Sequence, residues 1–236
     1  MTAQSLRSRA GRGPAGEQAR QRLIEAGLDL FGRYSFDGVS TRVLADRADV
    51  NLAAIQYYFG SKEGLYQAVA NHIVEEVKKW LEPAISEIER KLERDSPTGE
   101  QCFSLLCNLL DRLTIKLLGS SDSKKWVGII MREQMEPTDA FEILYEGLMK
   151  PIDLCFFRLV GGTLGLDPQD QETKLRAYAI KGQLLIFHVS RAELERSLNW
   201  QAYRSEELEA IRSIILDHVR AILGMPLIER GHGIAP

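Results

Sequence analysis

The chain has 236 residues, is 44% hydrophobic and 27% charged, and carries a net charge of −3. These values are ordinary for a folded globular protein of one large or two smaller domains. They exclude a generic polycation, and no run of residues is long and apolar enough to predict a membrane span. Residues 1–66 nevertheless hold nine Lys and Arg against seven acids. A basic head on an acidic body is the charge distribution that suits contact with nucleic acid.

The cysteines and the N-terminus indicate the compartment. Cys102, Cys107 and Cys155 show neither a metal-binding spacing nor a disulfide framework, so we expect reduced thiols. The N-terminus lacks the apolar segment of a signal peptide. Both features predict a cytoplasmic protein.

Residues 1–16 are predicted to be a disordered basic arm. They contain Arg7, Arg9 and Arg12, three glycines, a proline and no acid, a composition that does not fold alone. Such an arm either contacts phosphates or a minor groove, or it is a solvated tail. The composition leaves both interpretations open.

A three-helix domain is predicted over residues 17–62. Its first helix spans residues 17–34, where apolar side chains recur with the period of a helix and form one inward face. The Phe36-Asp37-Gly38 segment ends that helix. The predicted core of the domain is Leu23, Leu30, Phe31, Val39, Leu44, Ala48, Val50, Ile55 and Phe59.

The segment 40–62 fits two short helices joined by a tight turn. Ser40 is placed to cap the first helix, because its hydroxyl can accept from a free N–H of the first turn. Asp49 lies where the chain must turn, and Asp tolerates a left-handed backbone better than most residues. Asn51 is a good cap for a second helix over residues 52–58, and Gly60 ends it.

The outer face of that second helix predicts DNA binding. Ile55 and Phe59 are four residues apart and can face inward, which leaves small, aromatic and amide side chains outside. A helix, a short turn and a second helix with such a face enter the major groove of DNA. We assign phosphate contacts to Thr41 and Arg42. Base edges are assigned to Leu52, Ala53, Ala54 and Gln56, and backbone register to Tyr57, Tyr58 and Lys62.

Residues 41–65 resemble the TetR family of bacterial regulators. The residues in the family's positions are Ala45, Ala48, Val50, Tyr57, Phe59, Lys62, Glu63 and Leu65. The chain departs from the family at Asp49, where Gly is usual. The resemblance implies a homodimer that binds a palindromic operator, most often as a repressor, and is released by a small molecule.

The rest of the chain is predicted to be helical, so the fold class is all-α. A long helix begins at Ser61, and Pro83 must kink or end it before it resumes to Leu92. A glycine-rich segment at 161–165 follows a helix rather than a strand, so we predict a loop and not a phosphate cradle. Residues 63–225 form the second domain, and residues 226–236 form a flexible tail. Further helices are predicted at 102–118, 124–134, 138–159 with a bend at Pro151, 168–189 and 206–223.

The C-terminal domain is similar to that of the CecR-type branch of the TetR family. The similarity is carried by residues 132–138, which are Arg-Glu-Gln-Met-Glu-Pro-Thr, with Phe141 and Pro151 after them. Residues 51–55 of the recognition helix show the same likeness. This branch resemblance implies a ligand-binding and dimerisation domain.

Two sets of residues are predicted to bind partners of the second domain. A ligand pocket is assigned to Trp126, Met131, Met135, Phe141, Tyr145 and Phe187, although these side chains would also suit a plain core. The last two helices have wider apolar arcs than one packing face needs, which indicates a partner. The predicted dimer contacts are Leu184, Leu208, Ile211, Ile215 and Ile222. The alternative is that one chain fills both faces.

No catalytic, metal-binding or cofactor motif is recognisable. The histidines, His72, His188, His218 and His232, are scattered and make no pair with metal-ligand spacing. We therefore predict that the protein is not an enzyme and needs no cofactor. Two alternatives stay open, a helical protein-interaction module and a helical enzyme with an unrecognised site.

Overall fold

The computed structural model of the chain describes residues 14–120 and 123–226. Helices and connecting turns account for these residues, and no strand occurs among them. The all-α prediction is confirmed. Arg7, Arg9 and Arg12 of the predicted basic arm lie outside the described residues, as does the predicted tail from residue 227 onward.

A π-helical turn at Tyr145–Met149 lies between the helix Asp139–Leu144 and the helix Lys150–Leu164. The helices are α1 Pro14–Arg33, α2 Thr41–Ala48, α3 Ala53–Phe59, α4 Lys62–Arg94, α5 Gly99–Gly119, α6 Ser123–Met135, α7 Asp139–Leu144, α8 Lys150–Leu164, α9 Gln171–Val189, α10 Arg191–Ser197 and α11 Ser205–Ile222.

The chain divides into two compact units. The head unit contains residues up to 81 and residues 124–150, and the body unit contains residues 82–123 and 151 onward. The first part of α4 and nearly all of α6 therefore belong to the same unit as the N-terminal helices. Helix α4 contributes residues to both units.

The core of the head unit forms where the apolar pattern predicts it. Leu30, Val50 and Phe59 are only half-buried, because they lie at the margin of the packed faces. The predicted core residues that are buried are Leu23, Phe31, Val39, Leu44, Ala48 and Ile55.

Pro83 does not end the long helix. Helix α4 continues from Lys62 to Arg94 with Pro83 inside it. Both Glu82 and Pro83 are exposed, so this turn faces water, where a backbone carbonyl without a helical partner is readily hydrated.

The predicted glycine-rich loop is mostly helix, which corrects the prediction for residues 161–165. Helix α8 runs to Leu164, and only Gly165, with φ 68°, leaves it. A Cβ on Gly162 would lie 2.6 Å from Sγ of Cys102, and one on Gly161 would lie 2.8 Å from the carbonyl of Leu166. These glycines serve close packing rather than a turn.

Two further boundaries differ from the sequence prediction. The π-helical turn divides the predicted 138–159 helix, although Thr138 caps its start as expected, with Oγ1 accepting from the Ala140 N–H at 3.2 Å. Helix α10 was not predicted, because its polar sequence has no buried residue and therefore no apolar period.

Candidate nucleic-acid interface

Local hydrogen bonds hold the two-helix motif of the head unit. Oγ of Ser40 accepts from the Val43 N–H at 3.2 Å and caps α2. Oδ1 of Asn51 accepts from the Ala53 N–H at 2.9 Å and caps α3. Gly60, with φ 76°, ends α3. The caps and the stop predicted for this segment are confirmed.

The turn between α2 and α3 is left-handed at Asp49, with φ 52° and ψ 54°. The Val50 N–H donates to the Ala45 carbonyl at 3.1 Å, which closes the end of α2. Arg22 of α1 donates from Nε to the Ala48 carbonyl at 3.0 Å and from its terminal nitrogen to the Asp49 carbonyl at 3.4 Å. These contacts hold a turn in which a residue other than glycine carries backbone strain.

The outer face of α3 presents most of the predicted DNA contacts to solvent. Leu52 and Tyr57 are 51% and 57% exposed, so two large side chains of this short segment face solvent rather than the core. The Tyr57 and Tyr58 rings pack edge to face with centroids 4.9 Å apart. The exposed predicted residues are Arg42, Leu52, Ala53, Gln56 and Tyr57, and the half-buried ones are Thr41, Ala54, Tyr58 and Lys62.

Lys62 is positioned by an aromatic ring. Its Nζ lies 4.1 Å from the centroid of the Phe36 ring, a cation–π geometry. This contact restricts the position of the Lys62 side chain at the start of α4.

Asp29 lies on the side of the head that α6 covers and binds three cations. Its carboxylate is 2.9 Å from Arg33, 2.9 Å from Arg47 and 3.4 Å from Lys125, and the residue is 7% exposed. Burial acts to raise the pKa of Asp29, but the cations outweigh it and hold this pKa below its usual value. Of these three cations, only Arg33 lies four residues from Asp29 in the same helix, so only this ion pair can be expected from sequence spacing.

Helix α6 approaches α1 at a pair of glycines. A Cβ on Gly128 would lie 2.7 Å from the Gly32 carbonyl oxygen, so no side chain fits there. One turn further along α6, Arg132 donates to the Phe31 carbonyl at 2.6 Å. That carbonyl belongs to the last turn of α1, where carbonyls have no helical partner.

A buried carboxylate fixes the end of α6. Glu133 is 1% exposed, and its Oε1 accepts from the Tyr66 hydroxyl of α4 at 2.8 Å. Its Oε2 accepts from both the N–H and the hydroxyl of Thr138 at 2.9 Å. Burial, followed by the hydrogen bond to Glu133, raises the pKa of Tyr66 far above its usual value. No periodicity in the sequence distinguishes this glutamate from solvated ones.

The predicted ligand-pocket residues do not line a common pocket in the structure. Met135 is 83% exposed, because α6 ends there, and Phe187 belongs to the body unit whereas the other five lie in the head unit. Phe141 and Tyr145 stack with centroids 5.8 Å apart. The other half-buried members are Trp126, Met131 and Phe187. A cavity of about 350 Å³ occurs instead between α4 and α5 in the body unit.

The predicted dimer residues are divided between the core and the surface. Leu184, Ile211 and Ile215 are buried within the chain, and Leu208 and Ile222 are half-buried. Gln183 and His218 join α9 to α11 through a 3.2 Å contact between Oε1 and Nδ1. The exposed apolar side chains of these two helices are Leu175, Tyr178, Ile186, Val189 and Ile214.

No helix in residues 14–120 and 123–226 is long and apolar enough to cross a membrane. Nor does this part of the chain bring together three or more His, Cys, Asp or Glu side chains that could hold a metal ion.

Two family models together match most of the chain. The family model for bacterial regulatory proteins of the tetR family matches residues 23–69, and the model for the C-terminal domain of the HTH-type transcriptional dual regulator CecR matches residues 104–225. The CecR protein of Shigella flexneri is 34% identical over 208 residues, covering 88% of this chain and 92% of its own length.

Solved structures share the fold. A transcriptional regulator from Pseudomonas aeruginosa PAO1 has a TM-score of 0.60 at 18% identity and covers 89% of this chain and 94% of its own. AibR, solved with isovaleryl coenzyme A and operator DNA, has a TM-score of 0.61 at 12% identity, with coverages of 85% and 97%. At these identities the likeness concerns architecture alone.

Proposed function

The chain belongs to the TetR family of bacterial regulatory proteins, with a C-terminal domain of the CecR type, and from this premise we propose a ligand-responsive repressor that binds a palindromic operator as a homodimer. The observation that carries the DNA-binding part is the exposed face of α3. Leu52 and Tyr57 are exposed there, and residues 50–62 contain no acid that would repel phosphates.

We assign the two helices of the motif to contacts with different parts of the DNA. Leu52, Ala53, Ala54 and Gln56 face base edges in the major groove, where an amide can bind adenine in a bidentate manner. Arg42 and Thr41 contact phosphates at the start of α2. Tyr57, Tyr58 and Lys62 bind the backbone and set the register.

A second subunit covers the exposed apolar faces of α9 and α11. Leu175, Ile186 and Val189 line one side of α9, and Ile214 lies on α11. Several large apolar side chains that are exposed on one surface are typical of a protein–protein interface. Among the residues predicted from sequence, Leu208 and Ile222 are half-buried and could add to this surface, whereas Leu184, Ile211 and Ile215 are buried within the chain.

The effector and the compartment follow from the same premise. A small molecule that binds the operator-free state better than the bound state releases the DNA. AibR, which shares this fold, was solved in complex with isovaleryl coenzyme A and operator DNA, so a small molecule and DNA are both partners for which this fold has sites. We place the protein in the cytoplasm with its operator, and we assign it no catalytic activity.

Selection of bound duplexes from a random DNA pool tests this proposal. The wild-type protein and a Tyr57→Ala/Lys62→Ala double variant are run side by side. A palindrome enriched by the wild type alone is the expected result. Equal enrichment by both proteins would remove α3 from the interface, and no enrichment by either would favour the protein-interaction module.

A further inference from the structure

A groove in the body unit lies between the second half of α4 and the middle of α5. Its volume of about 350 Å³ lies within the range of small-molecule sites. Ala84, Ile88 and Leu109 form its floor and are each at most 5% exposed. Apolar backing of this kind favours a ligand with a hydrocarbon or aromatic portion.

Four charged side chains line the groove, Glu87, Lys91, Asp111 and Arg112, and their charges sum to zero, but they are not all paired with one another. Lys91 pairs with Glu87 at 2.9 Å, and Asp111 is paired with Arg212 of α11. Arg112 also lines the groove and forms no direct ion pair among the described residues, although it adds to the effect of Lys91 that holds the pKa of Glu87 below its usual value. One guanidinium, with up to five donors, is therefore available beside an apolar floor.

From this arrangement we infer that the groove binds a small amphiphilic anion, whose carboxylate or sulfonate is bound by Arg112 and whose apolar portion lies against Ala84, Ile88 and Leu109. Asn108 at the rim adds an amide that can accept or donate. Arginine suits this role because its planar fork pairs with two anionic oxygens at once.

The same helix links the groove to the head unit. Residues 84–91, which line the groove, and Tyr66, which binds Glu133, both belong to α4. A ligand that favours one position of α4 therefore alters the equilibrium of the head. This part of the inference rests on the proposed function, whereas anion binding itself does not.

Fluorescence titration with 1-anilinonaphthalene-8-sulfonate tests the binding site on the full-length protein without DNA. The neutral probe N-phenyl-1-naphthylamine has the same rings and no charge. We expect Arg112→Gln to weaken binding of the sulfonate about tenfold, because a charge-assisted hydrogen bond is lost, and to leave the neutral probe unchanged. Lys116→Gln, one turn further along α5, is the matched control and changes neither.

A second variant tests the groove independently of charge. Asn108→Trp places a bulky ring at the exposed rim and should exclude both probes. Unchanged sulfonate affinity in either Arg112→Gln or Asn108→Trp would overturn the assigned site.

The link to DNA is measured with the selected operator duplex. Saturating sulfonate should weaken duplex binding by the wild type and by Lys116→Gln but not by Arg112→Gln. Sulfonate that binds through Arg112 without changing duplex affinity would overturn the role as effector site. Failure of the wild type to bind any duplex would refute the proposed function, while the titration without DNA would still decide the site.

Discussion

The two sides of the head unit are built by contacts of different range. On the α3 side, Ser40 caps α2 through a bond three residues away, and Asn51 caps α3 through one two residues away. On the α6 side, Arg132 reaches the Phe31 carbonyl across 101 residues and Glu133 reaches Tyr66 across 67. The shape of the proposed DNA-binding surface is thus determined by local contacts, whereas its support comes from residues far away in the sequence. Substitutions on the two sides should separate binding from stability.

The largest effect is expected from Glu133→Ala on the α6 side. The change leaves the buried Tyr66 hydroxyl without its acceptor and should lower the free energy of unfolding by about 3 kcal/mol. Urea denaturation followed by circular dichroism measures it. Glu136→Ala, at an exposed position in the same segment, is the control and should change stability by less than about 0.5 kcal/mol. Equal stabilities of the two variants would contradict the supporting role of Glu133.

Gly128→Ala tests the closest approach on that side. The added Cβ would meet the Gly32 carbonyl at 2.7 Å, and a backbone atom cannot move aside cheaply, so we expect a loss of about 2 kcal/mol. Gln134→Ala, exposed on the same helix, should be nearly neutral. A Gly128→Ala protein with wild-type stability would show that α6 and α1 pack less closely than described.

Tyr57→Ala probes the opposite side. Duplex affinity should fall about tenfold, because contact area and a hydrogen-bonding hydroxyl are lost, while the free energy of unfolding stays within about 0.5 kcal/mol. Fluorescence anisotropy with the selected operator measures the affinity. Tyr57→Phe separates the hydroxyl from the ring. A Tyr57→Ala protein that is less stable than the wild type but binds the duplex with unchanged affinity would show that Tyr57 supports the fold rather than DNA binding.

The smallest effect concerns acid stability through Asp29. Its folded-state pKa lies below the ordinary value of 3.8, so its stabilising contribution is complete above that pH and is lost as the pH falls through the lowered pKa. We expect Asp29→Asn to remove about 1 kcal/mol near neutral pH, and less at lower pH. Denaturation curves between pH 6 and about pH 2 compare the two proteins. A constant difference across this range would exclude the ion pairs as its cause.

The local side of the head was predictable from sequence and the distant side was not. Caps, the Asp49 turn and the alternation of buried and exposed residues depend on neighbours within four positions, and the sequence displays them directly. Glu133 and Gly128 depend on partners that only the fold brings near. The family resemblance singled out residues 132–138 without revealing their contacts.

The second domain shows the same limit. Its helices were predictable from their apolar period, but the faces they use were not. Leu184, Ile211 and Ile215 fit a partner surface as well as a core by spacing alone, and the structure places them in the core. The glycines of 161–165 were mistaken for a loop because spacing cannot distinguish a turn from a close helix contact.

The left-handed turn at Asp49 has a consequence for how this sequence tolerates change. Because Arg22 donates to the Ala48 and Asp49 carbonyls, we expect the effects of substitutions at positions 22 and 49 to depend on each other. Loss of Arg22 is expected to be harmful beside Asp49 and mild in an Asp49→Gly background, where the backbone adopts the turn without strain. A mutational path that replaces Arg22 therefore passes more easily through glycine at position 49 first.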